Sequence, residues 1–397
     1  MKHCPVGPET KRMLELGHPW VIADRYTRQW PHVATGELVV LVDDHHRPLA
    51  VAICDPSNRI VARRLAGQPE KIDFHWFESQ FRQCEVVRKN ILLGDTDCYR
   101  LVNGEGDGLP GVTVDRYGDY LMVQFYTDAW EPHLDQLTEA LRRTYQPGGI
   151  YLKYRPQQTR KLEAQKKSRQ TNRLLAGKPV PNPLLVKEDG LVYRVNLHTG
   201  LHTGLFPDQR RNRREMMQRV AGLRVLNLFS FTGAFSVAAA AAGAQRVTSV
   251  DVSEKYLAIA RENFRDNGIN PVQHEFIGAD VFSELATMRS QGRLFDCVLF
   301  DPPSFSTTRK SRFSTQGGTA DLVTQTIPLL APGGLLMTAS NHQKVALDDY
   351  FKELRRGVLR AERTLRTVHV GGQSEDFPCD IGFPEGRYLK FVISVVP

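Results

Sequence analysis

Residues 224–251 read RVLNLFSFTGAFSVAAAAAGAQRVTSVD, and this stretch decides the fold class of the surrounding region. The apolar run from Val225 to Phe229 predicts a buried parallel strand. Val237 to Ala242 is almost entirely alanine, the best helix former, and Gly243 ends the predicted helix. A second apolar run leads to Asp251. Strand, turn, helix and strand make a βαβ unit, which predicts a ligand site at the carboxyl ends of its strands.

The turn of this βαβ unit contains one glycine, Gly233, and Asp251 lies 18 positions later. An acidic residue at about this distance can accept hydrogen bonds from the two ribose hydroxyls of a nucleotide. The complete G-x-G-x-x-G pattern, which brings the backbone close to a pyrophosphate, is absent. The turn therefore favours S-adenosylmethionine, which carries no phosphate, over a dinucleotide. A plain α/β crossover without a ligand is the alternative.

Length and composition restrict the class of protein. The 397 residues suffice for two or three domains of ordinary soluble composition. No apolar run reaches the roughly 18–20 residues of a membrane span, and the N-terminus lacks a signal-peptide core, so we expect a cytoplasmic protein with no membrane partner. The six cysteines form no C-x-x-C pair, which argues against zinc. The net charge of +8 fits either a polyanionic partner or a basic solvated surface.

The order of predicted elements divides the chain into three domains. Residues 1–68 contain short apolar runs between turn residues, as in a small β-barrel. Residues 69–190 form a central α/β domain, whose basic loop, 155–178, either contacts phosphates or is a solvated linker. The basic residues of this loop include Arg160, Lys161, Lys166, Lys167 and Arg169. Residues 191–397 alternate strands and helices, which predicts a doubly wound, Rossmann-like α/β sheet.

Three aspartates of the last domain follow predicted strands: Asp251, Asp280 and Asp301. The carboxyl ends of parallel strands meet at one edge of a sheet, so we expect these side chains to share one site. Asp251 would accept the ribose hydroxyls and Asp280 the adenine amino group of the donor. Each aspartate taken alone could instead be a helix cap.

Asp301 opens the sequence Asp-Pro-Pro, in which Pro302 and Pro303 fix the backbone and remove two N–H donors. The resulting stiff loop presents carbonyl acceptors, and an extruded base could dock there with Phe305 near its face. The sequence therefore predicts a methyl-donor site beside a base-binding loop.

Seven segments spread over nearly the whole chain resemble the large-subunit ribosomal RNA methyltransferase I family. They are His18-Pro-Trp, Arg100 to Arg116, Asp208-Gln-Arg, Asn227 to Gly233, Asp251, Asp301-Pro-Pro-Ser-Phe and Pro384 to Lys390. The resemblance implies an N-terminal PUA-like RNA-binding domain, a small central domain and a class I methyltransferase domain. It also implies S-adenosyl-L-methionine as donor, large-subunit (23S) ribosomal RNA as partner and a homodimer.

The motifs and the resemblance together give a set of candidate site residues. The residues expected to bind the donor are Asp208, Gln209, Arg210, Asn227, Phe229, Ser230, Thr232, Gly233, Asp251, Val252, Asp280, Val281 and Asp301. The residues expected to act on the base are Asp301, Pro302, Pro303, Ser304 and Asn341. RNA contacts are expected from the five loop residues given above and from Arg213, Phe305 and His342.

One departure from the family concerns the chemistry. The family's 5-methylcytosine enzymes resemble one another in a Ser-Cys-Ser segment, whose cysteine attacks C6 of cytosine to activate C5. The segment from Thr338 to His342 contains no cysteine, and it resembles the Ser-Asn-Asn of a related guanine-N7 methyltransferase domain. We therefore expect a ring nitrogen such as guanine N7 as the target. Cytosine C5 methylation with Cys379 as nucleophile, a non-catalytic RNA-binding relative and a small-molecule methyltransferase are the alternatives.

Overall fold

The protein is described from a computed structural model. The structure describes residues 1–91, 93–154, 172–198, 202–303, 305–307 and 312–397, without the side chains of 154, 305–307 and 312–317. Within this range the chain forms two compact units. Unit 1 comprises Met1–Leu184, Asn196–Thr203 and Glu375–Gly386, and unit 2 comprises Leu185–Val195, Gly204–Ser374 and Arg387–Pro397. In the part of the chain that the structure describes, no helix has both the length and the apolarity needed to cross a membrane.

The first sheet of unit 1 has five short strands in the order β1-β3-β4-β5-β2. These strands are β1 (Lys2–Pro5), β2 (Trp20–Ile22), β3 (Leu38–Val42), β4 (Pro48–Cys54) and β5 (Ile60–Ala66). β1 pairs in parallel with β3, and the other pairs are antiparallel. Helix α1 (Pro8–Glu15) follows β1 and buries Leu14. The β-rich character predicted for the first domain is confirmed.

The second sheet of unit 1 has the order β10-β9-β8-β7-β6. Its strands are β6 (Cys98–Asn103), β7 (Val112–Tyr117), β8 (Tyr120–Phe125), β9 (Gly149–Tyr154) and β10 (Asn172–Gly177). Helices α2 (Phe74–Lys89) and α3 (Leu134–Tyr145) add buried side chains such as Phe77 to a common core with the sheet. The α/β character predicted for the central domain is therefore present, with the apolar positions of both helices in this core.

One expectation about the basic loop is wrong at its end. Residues 172–177, predicted as loop, are strand β10, which pairs antiparallel with β9. The partly buried Leu175 packs against the core, which explains why this end of the segment is ordered as a strand. The remaining loop positions 155–171 lie outside the described residues.

Unit 2 is built on a seven-stranded sheet in the order β15-β14-β13-β16-β19-β21-β20. The strands are β13 (Arg224–Leu228), β14 (Arg246–Asp251), β15 (Glu275–Gly278), β16 (Phe295–Phe300), β19 (Leu330–Ser340), β20 (Arg366–Gly371) and β21 (Lys390–Val395). The pairs from β15 to β19 are parallel, whereas β21 is antiparallel to both β19 and β20. A hairpin, β11 (Leu184–Glu188) and β12 (Leu191–Val195), precedes this sheet, and β17 (Phe305–Thr307) pairs with β18 (Arg312–Ser314).

The helices of unit 2 alternate with these strands. They are α4 (Arg210–Met217), α5 (Ala234–Ala241), α6 (Glu254–Asp266), α7 (Val281–Ser290), α8 (Thr315–Thr326) and α9 (Leu347–Arg360). The strand order reverses between β13 and β16, and in doubly wound sheets this switch point opens a crevice at the carboxyl ends of the strands. The predicted doubly wound sheet is thus confirmed. Asp251 ends β14 and Asp301 directly follows β16, so both lie at this edge of the sheet.

A buried ion pair joins α4 to the β11–β12 hairpin. Arg213 Nε and Nη2 each donate to a carboxylate oxygen of Glu188 at 2.6 Å, and both side chains are only 3% exposed. The guanidinium also lies 5.4 Å from the ring centre of Phe235. The expected RNA contact of Arg213 does not fit this position, because a buried, bidentate guanidinium has no face left for a phosphate. The sequence did not reveal this ion pair, because Arg213 lies among the other arginines of α4 and therefore looks like part of a basic surface.

The next residue on the same helix provides a comparison. Arg214 pairs with Asp189 of the same hairpin, but its side chain is 42% exposed. We expect Arg213→Met to lower the free energy of unfolding by about 3 kcal/mol, because it leaves Glu188 buried without its partner. We expect the control, Arg214→Met, to cost less than about 1 kcal/mol. Urea unfolding followed by circular dichroism measures both; equal losses in the two variants would contradict the buried-pair explanation.

Candidate functional site at the switch point of the sheet

The turn after β13 has an uncommon backbone. Phe229 has φ 56°, Phe231 has φ 51° and Gly233 has φ 80°, so three alternate residues are left-handed. Bulky residues rarely adopt this conformation, and such residues concentrate at functional sites. At Gly233 an added Cβ would lie 2.8 Å from the Cβ of Ala260, so only glycine fits there. The turn is therefore fixed by its neighbours rather than by local preference.

Two backbone amides orient the carboxylate of Asp251. Phe231 N–H donates to Oδ2 at 2.8 Å, and Ser253 N–H donates to Oδ1 at 2.9 Å. Burial raises the pKa of Asp251, while these two donors act in the opposite direction. Because each oxygen receives only one of these bonds, each retains a lone pair for a further donor. The carboxylate can thus accept two hydroxyl groups at once.

Hydrogen bonds of polar side chains hold the turn after β13 in place. Asn227 Nδ2 donates to Ser236 Oγ at 2.9 Å, and Ser236 Oγ lies 2.7 Å from Ser249 Oγ. Thr232 Oγ1 donates to the carbonyl of Gly204. Asn227 and Thr232 are both buried, so the structure gives them the task of holding the turn. Direct contact with a ligand remains a prediction for these two residues.

Ser230 occupies the centre of the turn. Its N–H donates to the carbonyl of Val250 at 3.0 Å, which ties the turn to β14. The residue is 6% exposed, and among the described residues its hydroxyl has no hydrogen-bond partner. A buried hydroxyl without a partner is costly, so this group is available to bond a ligand.

Asp301 belongs to a partly buried polar network that starts at the N-terminus of α4. Gln209 Nε2 donates to Asp301 Oδ2 at 2.9 Å, and Asn212 Nδ2 donates to Gln209 Oε1 at 2.6 Å. Burial, with the negative charge of Asp208 nearby, raises the pKa of Asp301 to about 7, although the bond from Gln209 and the charge of Arg213 oppose the rise. The carboxyl group can therefore donate or accept a proton near neutral pH.

The segment that resembles the family's cysteine site lies at the end of β19, two strands from β13. Ser340 ends β19 and faces Lys390, the first residue of β21. Lys390 Nζ donates to the carbonyls of His342 and Tyr388, both at 2.7 Å, and burial lowers the pKa of this amine to about 8. The structure thus fixes the backbone of this segment through a buried lysine.

The two polar residues after Ser340 differ in their surroundings. Burial and the positive charges of Lys390 and Lys344 lower the pKa of His342, which disfavours its charged form. Asn341 is exposed, as the expected contact with a base requires.

Asp280, Val281 and Val252, three further residues expected to bind the donor, have different surroundings. Asp280 is the N-cap of α7 and accepts from Ser283 N–H at 3.2 Å, which is the capping role weighed as the alternative. The side chain of Val281 is 4% exposed and belongs to the core, so only its backbone can face a ligand. Val252, in contrast, is 63% exposed directly after Asp251.

Several residues expected to act on the base or to contact RNA lie outside the described part of the chain. Ser304 and the side chain of Phe305 are outside the described residues, as are all five basic positions of the loop, Arg160, Lys161, Lys166, Lys167 and Arg169. Pro302 is buried and Pro303 exposed, directly after Asp301.

All six cysteines are free thiols, and only Cys297 lies in unit 2. Cys297 is fully buried within β16, and burial raises its thiol pKa to about 12. Cys379 lies in unit 1, where its Sγ donates to the carbonyl of Phe383 at 3.0 Å.

Four residues that hold the side chains or backbone of this site were given no individual role from the sequence. Tyr388 Oη donates to Asp208 Oδ2 at 2.7 Å, and Ser374 Oγ accepts from Arg211 N–H at 3.1 Å. Phe231 and Lys390 hold Asp251 and the segment after Ser340, as described above. The segments Asn227 to Gly233 and Pro384 to Lys390 contain three of the four, and the resemblance to the family was the only signal for them.

Comparison with known proteins agrees with this geometry. A family model described as S-adenosylmethionine-dependent methyltransferase matches residues 99–378, and a PUA-like domain model matches residues 6–66. The chain is 34% identical over 375 residues to the ribosomal RNA large subunit methyltransferase I of Erwinia tasmaniensis, and 94% of each chain is covered. The protein of the same name from Shigella flexneri matches with the same identity and coverage.

Solved structures give a similar result over the full length. A methyltransferase crystallised with SAH superposes with a TM-score of 0.90 at 28% identity, covering 100% of both chains. An S-adenosylmethionine-dependent methyltransferase from Streptococcus mutans superposes with a TM-score of 0.87, also at 28% identity and full coverage.

The pKa of Asp301 predicts a pH-dependent stability. A carboxyl group whose pKa rises on folding from 3.8 to about 7 binds more protons in the folded state between these values. Stability is therefore lost as the pH rises through this range. We expect Asp301→Asn to gain stability relative to the wild type by on the order of 2 kcal/mol between pH 5 and pH 8. Differential scanning calorimetry across this range measures the gain.

Asp296 of β16, the strand that precedes Asp301, is the matched control, with a pKa shift of the opposite sign. Its hydrogen bonds from Arg224 lower its pKa, so its contribution to stability is present at neutral pH and is lost in acid. Asp296→Asn should therefore destabilise the protein at pH 7 and lose this effect towards pH 3. A difference between Asp301→Asn and wild type that does not change with pH would show that Asp301 has an ordinary pKa.

Proposed function

Because this chain belongs to the ribosomal RNA large subunit methyltransferase I family of S-adenosylmethionine-dependent methyltransferases, we propose that it methylates a base of large-subunit ribosomal RNA. We further propose that the methylated atom is a ring nitrogen such as guanine N7. The observation that carries the second proposal is that the segment from Thr338 to His342, which corresponds to the family's cysteine segment, contains no cysteine.

Three residues at the switch point of the sheet are suited to bind S-adenosylmethionine. Two polar groups can form further hydrogen bonds to a ligand. They are the hydroxyl of Ser230 and the carboxylate of Asp251, each oxygen of which retains a lone pair. The exposed Val252 offers an apolar surface for an adenine ring next to the ribose position. When bound, S-adenosylmethionine supplies an electrophilic methyl group. Asp251, Ser230 and Val252 would bind and orient it.

The target atom follows from what the protein lacks. C5 of cytosine becomes nucleophilic only after a thiolate adds to C6, so that reaction requires an activated cysteine. Cys297 is enclosed in β16, and the Cys379 thiol donates to a carbonyl. N7 of guanine already carries a lone pair and has no proton to lose. It requires only that the base is held in line, which can contribute several kcal/mol on its own.

The residues around Asp301 are suited to hold such a base. Pro302 and Pro303 stiffen the loop after β16, and the carboxyl of Asp301 can donate to or accept from a base edge. Asn341 would read another edge of the base through its amide. The PUA-like domain and the basic loop would bind the surrounding RNA through its phosphates.

Donor binding can be tested without RNA. We expect Asp251→Asn to weaken the binding of S-adenosylhomocysteine by at least about tenfold, because one charged acceptor of two hydroxyls is lost. Isothermal titration calorimetry measures the affinity. Asp349→Asn, a change to an exposed helix aspartate paired with Lys352, is the control and should bind normally. Equal affinity in Asp251→Asn and wild type would remove Asp251 from the donor site.

The product identifies the target atom. We expect the protein, incubated with S-adenosylmethionine and large-subunit ribosomal RNA that lacks the modification, to yield 7-methylguanosine by nucleoside mass spectrometry. The control variant Cys379→Ala should retain this activity, because the thiol has no role in the proposed reaction. A 5-methylcytidine product abolished by Cys379→Ala would instead establish cytosine C5 as the target. Failure to bind donor and to methylate would indicate a non-catalytic RNA-binding protein.

A further inference from the structure

Lys390 is a buried cation that the proposed methyl transfer does not use. It is the first residue of β21, is 4% exposed, and pairs in register with Ser340, the last residue of β19. Burial lowers the pKa of this amine to about 8, and no carboxylate among the described residues pairs with it to oppose the shift. Lysine is seldom buried without such a partner, because an unpaired cation loses its hydration. Its burial at the carboxyl end of β19 therefore requires another explanation.

The ammonium group of Lys390 joins two segments of unit 2. Its Nζ donates to the carbonyls of His342 and Tyr388, both at 2.7 Å. His342 lies two residues after β19, and Tyr388 lies two residues before β21 begins at Lys390. Hydrogen bonds from a charged donor are stronger than those between neutral groups. One side chain thus fixes the backbone after β19 and the backbone before β21 relative to each other.

The first of these segments carries the residue expected to read a base edge. Ser340 is held in the sheet by its pairing with β21, and His342 is held by the bond from Lys390. His342 N–H also donates to Ser340 Oγ at 3.4 Å. Asn341 lies between these two fixed residues and is exposed. Lys390 therefore sets the position from which the Asn341 amide can reach a base.

The second segment leads to the donor side of the site. Tyr388 Oη donates to the carboxylate of Asp208 at 2.7 Å, while the carbonyl of the same tyrosine accepts from Lys390. The residue after Asp208 is Gln209, whose amide donates to Asp301 at 2.9 Å. Tyr388 therefore connects Lys390 to the residues just before α4, and every contact in this series lies within unit 2.

We infer that Lys390 is a positioning residue that holds the base-reading segment and the donor side of the proposed site at a fixed distance from each other. The inference rests on the proposed function, because Asn341 is expected to contact the base and Asp208 the donor. Methyl transfer requires the acceptor nitrogen in line with the methyl group, and a misplacement of about 1 Å can cost about a hundredfold in rate. Loss of Lys390 should therefore impair the transfer more than the binding of the donor.

Lys390→Met tests this role, because methionine keeps an apolar stem and removes the ammonium donors. We expect single-turnover methyl transfer to unmodified large-subunit ribosomal RNA, at saturating donor and RNA, to fall about a hundredfold. The Kd of S-adenosylhomocysteine, measured by calorimetry, should rise less than about threefold, because the lost interaction acts mainly in the transition state. A folded Lys390→Met protein that transfers at the wild-type rate, or that loses donor affinity as strongly as rate, would overturn the inference.

Two control variants separate positioning from general stability. Lys352→Met changes an exposed lysine of α9. Phe264→Leu lowers stability within α6, where the ring is fully buried and contacts His274 and Phe276 edge-on. Both controls should transfer at the wild-type rate, and urea unfolding shows whether Phe264→Leu is as destabilised as Lys390→Met. An equal loss of rate in Phe264→Leu would assign the effect to stability and overturn the positioning role.

A second measurement needs neither donor nor RNA. Burial, followed by the positive charges of Lys390 and Lys344, lowers the pKa of His342. Removing the charge of Lys390 favours the protonated imidazole, so we expect the pKa of His342 to rise in Lys390→Met. It should stay lowered in Lys390→Arg, which retains the charge, and in the control Lys352→Met. A pH titration followed by proton NMR measures this pKa, and His342→Gln assigns the imidazole signal.

The two measurements keep this inference apart from the proposed function. An unchanged pKa of His342 in Lys390→Met would show that the ammonium does not lie beside the segment after β19, and would overturn the inference. A raised pKa in a protein that neither binds S-adenosylhomocysteine nor methylates RNA would support the structural role of Lys390 and contradict the proposed function. A raised pKa together with the loss of transfer and the retention of donor affinity would support both.

Discussion

The left-handed turn between β13 and α5 is the constraint on which the site depends. Two of its three left-handed residues are phenylalanines, and each such residue costs on the order of 1–3 kcal/mol. The neighbouring strand compensates: Val250 accepts the Ser230 amide, and Asp251 accepts the Phe231 amide. Asp251 therefore both stabilises the turn and presents the acceptors for the proposed ribose. A change at this aspartate would disturb the shape of the site together with its charge.

The sequence predicted the parts of this protein that depend on local pattern. The alternation of apolar strands and helices over residues 191–397 predicted the doubly wound sheet, and the turn chemistry placed Asp251 and Asp301 at its carboxyl edge. These predictions succeeded because a parallel strand and an amphipathic helix bury side chains at characteristic spacings. The spacing of apolar residues in the sequence therefore shows directly which side chains the fold buries.

Contacts between residues that are far apart in the sequence could not be predicted from the local spacing of apolar residues. Arg213 looks like part of a basic surface in the sequence, yet Glu188 lies 25 residues away and forms a buried pair with it. Tyr388 and Asp208 are 180 residues apart, and only the fold of unit 2 brings them together. Neither partner carries a local signal of the other. The resemblance to a family marked Tyr388 as part of a motif, but its role required the fold.

The network around Asp301 shows how positioning can replace a nucleophile. Asn212 donates to the oxygen of Gln209, and this fixes which end of the Gln209 amide faces Asp301. Burial and the nearby charge of Asp208 both raise the pKa of Asp301, and two neighbouring carboxylates are least costly when one is protonated. A neutral Asp301 can donate a hydrogen bond to a base, whereas an ionised one can only accept. For a target whose lone pair is already available, such a fixed contact would supply what the proposed reaction requires, which is orientation.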